Sequence, residues 1–131
     1  MKMNQTLSLS GILISLYGLL LSGCQAPITA SELGGHWVAV AITEKDKPLP
    51  VNPEEIHFRF DPKQMAYNYQ STLNYKEAGS FFLEGNLLHT LDTLNLASTE
   101  KIVSISLLTS DSMRIFMVDN GNPRTLTLVK R

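Results

Sequence analysis

The chain has 131 residues, of which 44% are hydrophobic and 18% charged, with a formal net charge of −1. Its lysines and arginines are scattered singly, with no basic run to offset phosphate charge, so the sequence offers nothing to nucleic acid. A single cysteine, Cys24, rules out an internal disulfide framework, and the length suits one small domain held together by its core alone.

The apolar stretch Leu7 to Leu21 follows Lys2 and is interrupted by Ser8, Ser10, Gly11, Ser15 and Gly18. It falls short of the ~20 apolar residues of a membrane-crossing helix and reads as a signal-peptide core. At its end Leu21-Ser22-Gly23-Cys24 resembles the lipobox of bacterial lipoproteins. The resemblance implies cleavage of residues 1–23 and a diacylglycerol on Cys24, leaving 24–32 as a lipidated tether. Gln25, where a residue other than Asp stands, implies export to the outer membrane by the enterobacterial sorting pattern. Two or three acyl chains make such an anchor durable, since each buried methylene contributes about 0.8 kcal/mol. Losing Lys2 with the signal takes the formal net charge from −1 to −2.

Beyond the tether, β-branched and aromatic runs alternate with a period of two and are broken by Asp, Asn, Gly and Pro clusters. The spacing predicts strands over His36–Thr43, Glu55–Phe60, Met65–Gln70, Ala78–Glu84, Leu87–Asp92, Lys101–Thr109, Met113–Asp119 and Arg124–Lys130. Pro48, Pro50 and Pro53 are expected to forbid ladder pairing in the loop Glu44–Pro53. Asp61-Pro62-Lys63-Gln64 suits a type I turn, and Gly85-Asn86 and Asn120-Gly121 suit tight hairpins. Ser31 to Leu33 could form a turn at the domain entrance, and Leu94 to Glu100 a helical turn or a loop. A flat meander of this kind would leave two edges open to aggregation, so closure is expected. The fold class is all-β: a small antiparallel up-and-down barrel of about eight strands over residues 33–131.

At the first strand, Gly35-x-Trp37 resembles the Gly-x-Trp signature of lipocalins and of small bacterial lipocalin-like lipoproteins. Ile56-His57-Phe58-Arg59-Phe60-Asp61, Phe81-Phe82-Leu83-Glu84-Gly85-Asn86-Leu87 and Ser112-Met113-Arg114-Ile115 resemble that group too. The resemblance implies that Trp37 plugs the closed end while a basic residue of the last strand packs over its ring, Arg131 being the preferred partner and Lys130 the alternative. The chain is short for the family and lacks a helix before its last strand.

One alternating face would line the barrel: Ile56, Phe58 and Phe60; Met65, Tyr67 and Tyr69; Val103, Ile105 and Leu107; Met113, Ile115 and Met117; Leu126 and Leu128. Phe58, Phe60, Met65, Tyr67, Tyr69, Ile105, Met113, Ile115 and Met117 are the candidates for contact with a greasy ligand, with methionine adapting to its shape. The competing reading is a solid core, common in small barrels. His36, His57 and His89 lack metal-ligand spacing, so no metal is expected. No nucleophile elbow, zinc-protease motif or phosphate loop occurs, so neither catalysis nor a cofactor is expected. Two functions remain: a lipid-anchored module binding or shielding a small hydrophobic molecule in the cell envelope, or a solid scaffold presenting Glu44–Pro53 and Ser71–Lys76 to an envelope protein.

Overall fold

The computed structural model describes residues 27–95 and 98–131; the expected signal peptide 1–23, Cys24 and the start of the expected tether lie outside the described residues. A single helical turn, α1 (Ala30–Leu33), leads into nine strands. These are β1 (Gly35–Glu44), β2 (Lys47–Pro48), β3 (His57–Asp61), β4 (Ala66–Gln70), β5 (Lys76–Glu84), β6 (Leu87–Asp92), β7 (Thr99–Leu108), β8 (Ser112–Asp119) and β9 (Asn122–Lys130). From β3 onward each strand pairs antiparallel with the next. β1 takes β3 on one edge and β9 on the other, with Trp37 opposite Lys130 and Glu44 opposite Arg124. The meander thereby closes into an eight-stranded barrel, leaving no long free edge. Short β2 hangs from the end of β1.

That ninth strand departs from the expectation for the proline-rich loop. Lys45 and Asp46 both take positive φ, 52° and 64°, and form a tight hairpin that pairs Thr43 with Pro48 and Glu44 with Lys47. The prolines limit the pairing to two residues rather than abolishing it. The other turns follow their chemistry. Asp61 Oδ1 accepts the backbone N–H groups of Lys63 (3.0 Å) and Gln64 (3.4 Å). Asn120 and Gly121 adopt the positive φ values a two-residue hairpin demands.

Two bulges set which side chains face inward. In β1 the register slips at Val40, so Trp37 and Ala39 point in before it and Ile42 packs on the core after it. In β7 the slip falls between Ile105 and Leu107. The extra residue turns Leu107 to the surface, contrary to the inward face expected of it, and lets Leu108 reach the core instead.

The end of the barrel near α1 is packed solid. Trp37 is fully buried, its indole Nε1–H donates to Leu33 O at 2.8 Å, and Lys130 Nζ sits 5.1 Å from the ring centroid. Lys130, not Arg131, is therefore the cation on the plug. Leu126, Leu128 and Lys130 share the inward side of β9, and the next residue has the opposite parity. Arg131 instead donates its backbone N–H to His36 O at 2.9 Å. Gly35 is required twice over: its φ is +119°, and a Cβ there would meet Lys130 Cε at 3.2 Å. Gly-x-Trp thus leaves room for the lysine stem to cross over the indole.

Candidate functional site

The inward face of the barrel changes character along its axis. Toward the plug, Phe60, Phe81, Ile105, Met113, Ile115 and Leu128 are buried against one another, and Met65 packs at their margin from the turn before β4. Toward the other end the wall opens on a cavity of about 110 Å³. Phe58, Leu88, Val103, Met117 and Leu126 form its apolar side, and Tyr67, Tyr69, Glu77, Thr90 and Lys101 its polar side. An aromatic chain joins the two regions: Phe81 meets Phe60 edge-on, Phe60 stacks on Phe58 at 5.6 Å, Phe58 touches Tyr69 at 4.7 Å, and Tyr69 reaches Tyr75 at 6.2 Å.

Of the expected lining residues, Phe58, Tyr67, Tyr69 and Met117 border the cavity. Phe60, Met65, Ile105, Met113 and Ile115 do not. They belong to the filled half, because the plug end of so narrow a barrel is occupied by its own side chains. The two expectations, a calyx and a solid core, each describe one end.

The polar side centres on a carboxylate that the sequence reading passed over. Glu77 is only 3% exposed, and its oxygens accept Tyr67 Oη–H (3.1 Å), Tyr75 Oη–H (2.7 Å) and the ammonium of Lys101. A buried carboxylate persists only when paired and hydrogen-bonded, and three donors meet that need. Burial pushes the Tyr67 phenol well above its ordinary pKa; a hydrogen bond with Thr90 opposes the rise, and the charge of Glu77 adds to it. Burial works against the Lys101 ammonium, but the hydrogen bond and charge of Glu77 outweigh it, and the net shift is upward. The site therefore presents a neutralised ion pair and the protonated Tyr67 phenol to whatever enters.

Two further polar groups frame the mouth. Arg124 Nη2 binds Glu44 at 3.2 Å and Asp119 at 3.1 Å, one inward position beyond Leu126. Asp92, buried at the end of β6, accepts the backbone N–H groups of Ala78 (3.3 Å) and Leu94 (3.0 Å) and the amide of Asn95. Burial disfavours its charged form, but these hydrogen bonds prevail and lower its pKa. It fastens the chain after β6 and leaves no free acceptor pointing into the cavity.

Glu77, Thr90 and Lys101 were legible in principle. Each lies two residues from an inward apolar or glycine position: Gly79, Leu88 and Val103. The expected strands began at Ala78 and Lys101, whereas β5 starts at Lys76 and β7 at Thr99. Extending the alternation of β5 by one residue would have pointed Glu77 inward.

The histidines lie in three separate strands, β1, β3 and β6. His36 and His57, far apart in sequence, stack at 5.0 Å with Nε2 and Nδ1 2.8 Å apart. His89 stacks on Phe82 and lies 3.1 Å from Glu100. Among the described residues no group of three His, Cys, Asp or Glu is placed to hold a metal ion.

No family model matches the chain, and no curated protein matches it in sequence. Among solved structures, a lipocalin-like protein from Bacteroides uniformis matches it with a TM-score of 0.57 at 12% identity, over 76% of this chain and 99% of the other. The likeness is one of architecture, and together with strand order, closure and the buried indole it establishes that the chain has a lipocalin-like barrel fold.

Proposed function

We propose that this protein is a lipid-anchored lipoprotein of the bacterial cell envelope, attached through Cys24, whose barrel mouth holds a small hydrophobic molecule and catalyses no reaction. The observation that carries the reading is the two-sided cavity of about 110 Å³ between the apolar wall of Phe58, Val103, Met117 and Leu126 and the Glu77 cluster. Its size constrains the occupant. Pockets that enclose drug-sized ligands measure roughly 300–1,000 Å³. This one suits a compact molecule, or the end of a longer one whose remainder projects past half-exposed Lys101. With Glu77 and Lys101 already paired, a neutral polar end is favoured over a charged one. The anchor rests on Leu21-Ser22-Gly23-Cys24, and the outer membrane on Gln25.

Native mass spectrometry after mild detergent extraction should show a small species retained by the wild type and lost from Val103→Phe, which fills the cavity. Titration with straight-chain alcohols should shift the resonances of Met117 and Leu126 to saturation. A wild-type protein that retains nothing and responds to no alcohol would remove this reading. Anchoring is checked separately: a palmitate analogue fed to cells should label the wild type and leave Cys24→Ser unlabelled.

A second reading has its own observation. Leu73, between β4 and β5, is 97% exposed at a positive φ of 59°, and Tyr75 beside it in the chain and Val51 in the loop after β2 are exposed as well. A bulky side chain held outward in a strained conformation suits recognition of an envelope protein by the loops 44–53 and 71–76. A photo-crosslinker at position 73 should then capture one discrete partner in cells, and uniform background labelling would count against it.

A further inference from the structure

The outer face of β1, β3, β4 and β5 gathers cations that are dispersed in sequence. Cross-strand register sets His36 beside Arg59 and Arg59 beside Asn68, and one step along it sets His57 beside Gln70 and Gln70 beside Lys76. His57, Arg59, Asn68, Gln70 and Lys76 line one groove of about 250 Å³ on this face. His36 extends the cluster through its contact with His57, and Arg131 joins it through the backbone bond to His36.

Among the described residues, Arg59, Lys76 and Arg131 form no ion pair. Glu77 borders the groove, but its carboxylate is held inside the barrel by Tyr67, Tyr75 and Lys101. The His36 imidazole is held below its ordinary pKa, first by burial and then by Arg59, His57 and Arg131, the response of a base facing cations without an anion. In a protein of net charge −1, carboxylates were available to neutralise these side chains and are placed elsewhere.

We propose that this groove is a binding site for a small phosphate-bearing anion, either free phosphate or a phosphate ester. Arg59 supplies the planar fork that matches two phosphate oxygens, Lys76 a mobile point charge, and the Asn68 and Gln70 amides neutral N–H donors on either side. All stand on adjacent strands, so the array is preorganised by the barrel. It lies on the outer wall, on the other side of the strands whose Tyr69 and Glu77 border the mouth cavity as well. A free phosphate compound and a phospholipid headgroup present the same chemistry, and the test separates them.

Inorganic phosphate, and separately dihexanoyl phosphatidylglycerol below its micelle concentration, would be titrated into the full-length protein in a zwitterionic detergent. Side-chain N–H resonances of Arg59, Asn68 and Gln70 report binding, with sodium chloride at equal ionic strength as control. The proposal expects saturating shifts confined to the groove, weakened at least tenfold in Arg59→Gln and several-fold in Lys76→Gln. Tighter binding of the phosphatidylglycerol would assign a headgroup, and tighter binding of phosphate a soluble ligand. Shifts that never saturate, that chloride reproduces, or that persist unchanged in both variants would overturn it; having two variants guards against one that misfolds.

Discussion

Removing the indole at the closed end tests the architecture most directly. Trp37→Ala deletes a fully buried ring, frees Leu33 O from its 2.8 Å donor and takes away the surface under Lys130. Truncation of a buried aromatic to alanine costs about 3–5 kcal/mol. Two milder variants divide that loss. Trp37→Phe keeps most of the packing and leaves the Leu33 carbonyl unpaired, a cost of about 1–3 kcal/mol. Lys130→Met removes only the cation over the ring, worth about 0.5–1 kcal/mol at an exposed site. For a domain of this size, 1 kcal/mol moves the thermal midpoint by about 4–8 °C. Circular dichroism melts should therefore show a fall of roughly 12–40 °C for alanine, with phenylalanine intermediate and Lys130→Met lower by roughly 2–8 °C. Hydrogen exchange should also show faster exchange around α1 in Trp37→Phe, because the indole N–H is the hydrogen bond that joins Leu33 O to the barrel. An alanine variant melting within about 3 °C of wild type would refute the plug.

Gly79→Ala should abolish soluble expression, or lower the midpoint far more than the neighbouring surface change Ser80→Ala, because a Cβ would lie 1.9 Å from Leu91 O in the paired strand; a wild-type melt would show that β5 and β6 are not so close. Alkaline stability should depend on Tyr67. Its pKa is raised by folding, so its contribution is complete below the unfolded value of about 10 and is lost as pH climbs from there toward the folded value, at about 1.4 kcal/mol per unit. Lys101, also raised, weakens in the same direction over the alkaline range. Urea denaturation between pH 9 and 11 should therefore show a shallower decline for Tyr67→Phe than for wild type, and identical slopes would mean the phenol is not held neutral by its burial.

Much of the barrel is legible one strand at a time. The alternation Ile56, Phe58, Phe60 and Met113, Ile115, Met117 states which face is buried, and Asp61, Gly85 and Asn120-Gly121 state where the chain reverses; both are short-range properties of backbone and side chain. Closure follows nearly as directly from a meander with two open edges. Gly35-x-Trp37 names the plug, but the preference for Arg131 as its cation was wrong: Lys130 and Arg131 differ in parity, and parity is settled only once a register exists. The division of the interior was not legible. Period two marks Phe60 and Phe58 as equally inward, yet one is sealed in the core and the other borders a cavity, because depth along the axis depends on strand tilt and on the bulges in β1 and β7. Glu77 reads as a loop residue until β5 is seen to begin at Lys76. Above all, Arg59, Lys76, Arg131, His36 and His57 stand singly along the chain. Their convergence belongs to pairing between β1, β3, β4 and β5, a long-range relation that local patterning does not encode.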